Sequence, residues 1–286
     1  MIRYEVVDMF AEAPFAGSPL GVVPDAADLT SDAMASVARA IDTPETAFVL
    51  PPSDSYATYR VRVFTPAGET PHGAHSAAGT AATLVRLGRF PAGRLVQECG
   101  SARHRVTATV TGATLLAEGP ARLLDLDPAP LLAAAGLTAA DLAGPPRSAG
   151  YRTGFAFLPV RPGAVRAARP DPRRFRDDLP ALCVVSWDGS RHTATTRVFA
   201  PGFGIPEDPA CGPVAAALGV WLVGEDLAAT DGTQDYTVRQ DAGPGRSSRF
   251  TCSVTVAGGQ AVTGTACGPV VPVARGLLGH DHRPLS

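Results

Sequence analysis

The chain of 286 residues contains no lysine and no asparagine, so all its cationic side chains are arginine or histidine. Without lysine there is no Schiff base to pyridoxal phosphate or to a carbonyl substrate. A Walker-type phosphate loop is excluded for the same reason. No G-x-G-x-x-G follows a predicted strand, which leaves dinucleotide binding without support. No apolar run reaches the length of about eighteen residues that a membrane-spanning helix requires. The opening Met1-Ile2-Arg3-Tyr4-Glu5 lacks the basic and then apolar pattern of a signal peptide. Positive charge is nowhere dense enough to track a phosphate backbone. The richest stretch, Arg166 to Arg176, is interrupted by Pro170, Asp171 and Pro172 and reads as a solvated loop. Five cysteines (Cys99, Cys183, Cys211, Cys252 and Cys267) form an odd set with no C-x-x-C pair, favouring neither a disulfide framework nor a structural zinc site. A cytoplasmic protein that binds neither nucleic acid nor membrane is expected.

Hydrophobic residues make up 45% of the chain and charged residues 18%, which suffices for cores in two domains of similar size. Alternation predicts strands at Ile2–Asp8, Leu20–Val23, Glu45–Leu50, Tyr56–Phe64, Leu95–Cys99, His104–Val110 and Ala113–Glu118. Thr30 or Ser31 caps a predicted helix running to about Ala40, and a small-residue helix is expected from about His75 to Leu87. Residues Gly119 to Gly150, rich in Ala, Pro and Leu, read as a linker with one or two short helices. Further strands are predicted near Gly154–Val160, Leu182–Ser186, Thr193–Phe199, Tyr236–Gln240, Arg249–Val256 and Ala261–Thr265, with a last one near Val270–Ala274. A helix is expected from about Pro213 to Val223.

An internal echo organises this pattern. Arg62-Val63-Phe64-Thr65-Pro66 matches Arg197-Val198-Phe199-Ala200-Pro201 at every position but the fourth. Each is followed by a polar loop and then by an Ala-rich helix, entered through Gly73-Ala74-His75-Ser76 in one half and Cys211-Gly212-Pro213 in the other. Duplication is the better reading. The expected division places residues 1–118, with a returning C-terminal strand at about 266–280, in one half and 119–265 in the other. Two such units facing each other bring two helix N-termini to one cleft, where unpaired N–H groups and partial positive charge can hold a carboxylate or a developing enolate.

Three successive segments, Phe15–Val23, Thr43–Val49 and Gly68–Ser76, resemble motifs of the phenazine-biosynthesis (PhzF-like) isomerase family. So do Phe199-Ala200-Pro201 with Gly204–Gly212, and Gln240-Asp241 with Gly245-Arg246-Ser247-Ser248, in the family's order along nearly the whole chain. The resemblance implies an α/β protein of diaminopimelate-epimerase-like fold, with two pseudo-symmetric domains that each wrap a sheet around a central helix. It also implies a cofactor-independent isomerase, usually a homodimer, acting on a small carboxylate-bearing metabolite. Glu45 matches the family's acid/base; His75 and Asp208 match residues that line the same pocket and help to bind or protonate substrate. The family's usual Gly-His-Pro is Ala74-His75-Ser76 here, its Asn-Pro is Ser18-Pro19, and its Thr-Gly-Ser is Cys211-Gly212-Pro213. Cys211 is similar to the Ala-Cys-Gly of two-cysteine epimerases, but their first cysteine falls at Gly73, so a symmetric two-thiol mechanism is not available.

Each candidate has a plainer reading. Glu45 either has a raised pKa suited to proton transfer or is a surface carboxylate pairing with an arginine. His75 either relays a proton or caps its helix, and His72 reads as a loop residue. Asp208 either contacts substrate or caps, and Glu207 reads as solvent-facing. Cys211, at a helix N-terminus, is expected to have a depressed pKa and either serves as a second acid or base or packs as a small residue. The other four cysteines read as core. Gln240, Gly245 and Arg246 either position a substrate carboxylate or stabilise their loop. Ser18, Gly73, Ala74, Ser76, Gly212 and Pro213 complete the expected substrate contacts. His280 and His282 read as a frayed tail. No metal, flavin or nicotinamide is implied. The alternatives to isomerisation are a lyase or cyclase using the same proton abstraction, and a non-catalytic metabolite- or partner-binding homologue.

Overall fold

In the computed structural model, which describes residues 1–65, 68–241 and 246–279, the element order repeats. The first series is β1 (Ile2–Met9), β2 (Ser18–Val23), α1 (Ser31–Ile41), β3 (Glu45–Leu50), β4 (Tyr59–Thr65), β5 (Gly68–Thr70), α2 (Ala77–Arg86), β6 (Gly93–Cys99), β7 (Ala102–Ala108) and β8 (Gly112–Glu118). After β9 (Ala121–Asp125) and α3 (Pro128–Ala135) the second series follows. It runs β10 (Arg147–Tyr151), β11 (Phe155–Pro159), α4 (Pro162–Ala167), β12 (Leu182–Asp188), β13 (Thr193–Ala200), β14 (Ile205–Asp208), α5 (Gly212–Gly224), β15 (Gly232–Asp241), β16 (Ser247–Ala257) and β17 (Gln260–Leu278).

Strand pairing repeats as well. β2 and β3 are parallel, β3 and β4 antiparallel, β4 and β6 parallel, and β6, β7 and β8 antiparallel. β11 and β12, β12 and β13, β13 and β15, and β15, β16 and β17 show the same senses in the same order. In the first half the ring closes: β17 pairs with both β8 and β1, and β1 pairs with β2. Eight strands thus surround α2.

A helix inside a barrel is apolar on all sides and must be slender. Nine of the ten residues of α2 are buried, most of them Ala, Gly or Thr. A Cβ on Gly79 would lie 2.6 Å from Leu20 Cδ2 and 2.8 Å from Met9 Sδ, so only glycine lets the helix lie this close to the strands. The helix α5, equally apolar, fills the second half, and its buried Val214–Leu218 belong to the same core as α2.

Three expectations need correction. Gly268-Pro269 does not separate two strands. β17 runs through it as one element, pairing β16 as far as Cys267 and β1 from Val270 onward. Proline, which has no N–H for a ladder, falls at this change of partner, and its carbonyl accepts the Phe10 N–H at 2.6 Å. Residues 119–150 are more than a linker with helices: β9 and β10 pair antiparallel within them. The stretch 166–176 includes the end of α4 and a short helical turn at Pro172–Arg174, with Arg173 paired to Asp171.

Candidate active site

The strand β3 begins at Glu45 because α1 ends in Asp42, held in left-handed conformation at φ 57, and Thr43-Pro44 reverses the chain. The Thr43 hydroxyl ties this entry down: Oγ1 donates to the Glu45 carbonyl at 2.8 Å and accepts the Gly21 N–H at 3.2 Å. All six residues of β3 are buried, and Glu45 is only 8% exposed. Its carboxyl is pushed up from 4.5 to about 6, chiefly by burial; nearby His75 pulls the value down and Asp208 pushes it up. Glu45 Oε2 is buried without a hydrogen-bond partner.

His75 lies in the loop leading into α2, and Asp208 ends β14 where the equivalent loop leads into α5. Ser18 Oγ lies 3.2 Å from His75 Nε2, and His75 Nδ1 lies 3.7 Å from Asp208 Oδ2. The other oxygen of Asp208 accepts the Ala210 N–H at 2.9 Å. The duplicated halves also supply duplicated supports. The buried Gln240 of β15 donates to the Asp208 carbonyl and accepts the Cys211 N–H at 3.1 Å. The fully buried Gln97 of β6 donates to the Gly73 carbonyl at 2.7 Å and to Ser76 Oγ at 3.4 Å. Farther out, Arg62 holds Glu69 through both carboxylate oxygens at 2.7 and 2.5 Å, and Arg197 holds Glu207 at 2.6 and 2.9 Å. Each loop is therefore held by a glutamine from one side and follows a hairpin fixed by an arginine–glutamate pair.

Both central helices start at this point without side-chain capping bonds. Ser76, at the N-cap of α2, donates instead to the Gly73 carbonyl at 3.2 Å, and Cys211 makes no capping bond at α5. By contrast, Thr30 and Asp127 cap α1 and α3. First-turn N–H groups of α2 are thereby left for an anion, whereas Pro213 in the first turn of α5 has no N–H to offer. A cavity of about 700 Å³ adjoins the helix starts, with Ala74 and Pro213 in its wall beside Arg103, Arg105 and Arg152.

The remaining predicted residues occupy the surroundings. Gly73 packs on Cys99, where a Cβ would lie 2.4 Å from Cys99 Cβ, and Gly212 packs on Phe10 and Leu115. Arg246 Nη1 donates to the Gly17 carbonyl at 2.9 Å, tying the late segment to the first turn, where Phe15 N–H bonds Asp8. Gly245, His280 and His282 lie outside the described residues.

Two expectations fail here. The Cys211 thiol is not depressed: burial, reinforced by the negative charge of Asp208, pushes it well up, so it is a neutral thiol despite its place at a helix N-terminus. Glu207 is not solvent-facing but about one-fifth exposed and ion-paired to Arg197. His72 is an exposed loop residue whose ring meets Phe203, from the other half, edge-on at 5.5 Å. Sequence reasoning missed Gln97 and Thr43. Gln97 carried a signal, since it shares the inward phase of β6 with Leu95 and Cys99.

A buried carboxyl near neutrality, an imidazole and a second carboxylate beside uncapped helix starts can accept, hold and return a proton on an anionic substrate. His75, Asp208 and Cys211 also place one metal-ligating atom each within 4.8 Å of one another.

The model of the phenazine biosynthesis-like protein family (PhzC-PhzF) matches residues 7–273. An uncharacterized isomerase of Mesorhizobium japonicum is 32% identical over 96% of this chain and 98% of its own. The trans-2,3-dihydro-3-hydroxyanthranilate isomerase of Pseudomonas aeruginosa is 32% identical over 78% of this chain and 80% of its own. Among solved structures, a PhzF-family phenazine biosynthesis protein of Bacillus anthracis superposes with TM-score 0.82 over 97% of this chain and 99% of its own, at 23% identity.

Proposed function

The chain belongs to the phenazine biosynthesis-like (PhzC-PhzF) family as an isomerase, and on that premise we propose that Glu45 moves a proton between two carbons of a small carboxylate-bearing metabolite. The observation that carries this reading is the Glu45 carboxyl itself. It is buried, raised to about 6, and has one oxygen without a partner beside His75 and Asp208. Burying a carboxylate without a partner costs stability, and such a cost is found where function requires it.

At neutral pH the ionised Glu45 takes the proton from a carbon activated by conjugation to the substrate carboxylate. The electron pair passes into the substrate as an extended enolate, whose charge the uncapped N–H groups at the start of α2 stabilise. Because Glu45 holds its proton up to about pH 6, it is acidic enough to return it to a second carbon, which moves the double bond. His75, with Nε2 on Ser18, keeps its other ring nitrogen toward Asp208, and this pair orients the ligand. The adjoining cavity is of metabolite size. No step calls for a redox group, which accords with a cofactor-independent reaction.

The test uses trans-2,3-dihydro-3-hydroxyanthranilate, the substrate named for the P. aeruginosa relative, and a panel of small unsaturated carboxylic acids in deuterated water. Turnover with deuterium at the newly protonated carbon and no fragment lost is expected, with Glu45→Gln binding the same acid but not converting it. Loss of water or ring closure would make the reaction a lyase or cyclase step. Undiminished turnover by Glu45→Gln would remove the acid/base role.

A further inference from the structure

Three side chains gathered where the two central helices begin have a chemistry that proton transfer does not use. His75, Asp208 and Cys211 offer a nitrogen, an oxygen and a sulfur whose ligating atoms all lie within 4.8 Å of one another. The 3.7 Å between His75 Nδ1 and Asp208 Oδ2 is a few tenths of an ångström above the edge, roughly 3.4 Å, of a tetrahedron with metal–nitrogen and metal–oxygen bonds of about 2.0–2.2 Å. The imidazole and the carboxylate are each held through their other polar atom, and the cysteine through its backbone. Ser18 Oγ engages His75 Nε2, leaving Nδ1 toward Asp208. The Ala210 N–H occupies Asp208 Oδ1, leaving Oδ2 toward His75. Gln240 spans the backbone of Asp208 and Cys211, fixing both ends of the loop that carries the oxygen and the sulfur. Hydrogen bonds of this kind orient ligands in metal sites. Beside the cluster stands Glu45, with its unpartnered Oε2 and in electrostatic reach of both His75 and Asp208.

We propose that His75, Asp208 and Cys211 form a binding site for a thiophilic divalent cation of the zinc class, with a water as fourth ligand. The mixed sulfur, nitrogen and oxygen set selects zinc over magnesium or calcium, which take oxygen donors. Binding releases the Cys211 proton to solvent. The sulfur then coordinates as thiolate, the imidazole as the neutral ring and Asp208 as carboxylate, so affinity rises with pH. The inference rests on the placement of the three donors and not on the assigned reaction. Its consequence does rest on that reading: an ion here occupies two of the groups that orient the substrate and acts as a reversible inhibitor, not as a cofactor.

Cobalt(II) reports such a site without any substrate. Titrating the full-length protein with cobalt chloride at pH 7.5 is expected to give one equivalent bound, a thiolate-to-cobalt charge-transfer band in the near ultraviolet and the intense visible bands of four-coordinate cobalt. Zinc chloride should displace these signals. Cys211→Ser, which is nearly isosteric, should lose the charge-transfer band. His75→Gln and Asp208→Asn should keep the thiol but weaken binding at least about tenfold each, while Cys99→Ser should leave the spectrum intact. Folding of each variant is checked by circular dichroism. Absence of the charge-transfer band in the parent protein, its persistence in Cys211→Ser, or its loss in Cys99→Ser would overturn the site. None of these outcomes bears on whether Glu45 moves a proton, which the deuterium experiment decides separately.

Discussion

Glu45→Gln should make the folded protein more stable at alkaline than at acid pH relative to the parent. In the folded chain burial raises the Glu45 carboxyl from its ordinary 4.5 to about 6. Below pH 4.5 both folded and unfolded chains keep the proton and nothing is lost. As pH rises the unfolded chain releases it first, so the folded state loses ground until it too has ionised, above about 6. At about 1.36 kcal/mol per tenfold change in proton affinity, the full penalty is about 2 kcal/mol, and about 1 kcal/mol of it develops between pH 5 and pH 8. Glutamine has no such titration, so any cost of placing its amide in this pocket is the same at both pH values. Urea unfolding followed by the fluorescence of Trp187 and Trp221 measures the difference between variant and parent. That difference should move in favour of Glu45→Gln by about 1 kcal/mol from pH 5 to pH 8. A difference that stays constant, or moves the other way, would refute the claim that Glu45 is a buried carboxyl raised by desolvation.

Asp208→Asn removes a negative charge that raises both Glu45 and Cys211. The Glu45 carboxyl should fall below about 6, and iodoacetamide should alkylate Cys211 faster at a given pH; an unchanged or slower rate would contradict the assigned cause. Gly73→Ala puts a Cβ 2.4 Å from that of Cys99 and should cost about 1–3 kcal/mol. A second change, Cys99→Gly, should recover part of the loss in thermal unfolding. Gln240→Leu leaves the Cys211 N–H and the Asp208 carbonyl without their side-chain partner. It should destabilise by about 1–3 kcal/mol for each group left unsatisfied, and a change under about 0.5 kcal/mol would show that the loop holds itself.

Glu45, His75 and Asp208, which the structure brings together, could be picked out from the sequence because each lies in a compact motif, and so could the repeat of Arg62–Phe64 in Arg197–Phe199. What those arginines do was not read: each pairs with a glutamate across a hairpin, Glu69 at seven residues and Glu207 at ten, so the two spacings differ and depend on the length of the turn between. Comparing the two echoes would have exposed the shared Arg–Glu pairing and kept Glu207 from being placed in solvent. Gln97 lies on an inward phase, but its partner is the Gly73 carbonyl, 24 residues away in a loop. Nothing local in the sequence names it. The reversal at Cys211 is of another kind. Position at a helix N-terminus was correctly read, yet burial and the charge of Asp208 outweigh the helix, and both are properties of the packed structure. β9 was hidden because Ala121–Asp125 is largely exposed and carries no strong apolar alternation. β17 was split because Gly-Pro is a turn signal until one sees that the strand is changing neighbours there.

The account depends most on a carboxyl at position 45 that holds its proton to near neutrality between two helix starts. Infrared difference spectroscopy follows the carbonyl stretch of a protonated carboxyl as pH is raised. The account predicts a band of low-polarity environment that disappears with a midpoint near pH 6 and is missing from Glu45→Gln. A band that vanishes near pH 4.5, or one that survives in Glu45→Gln, would contradict it.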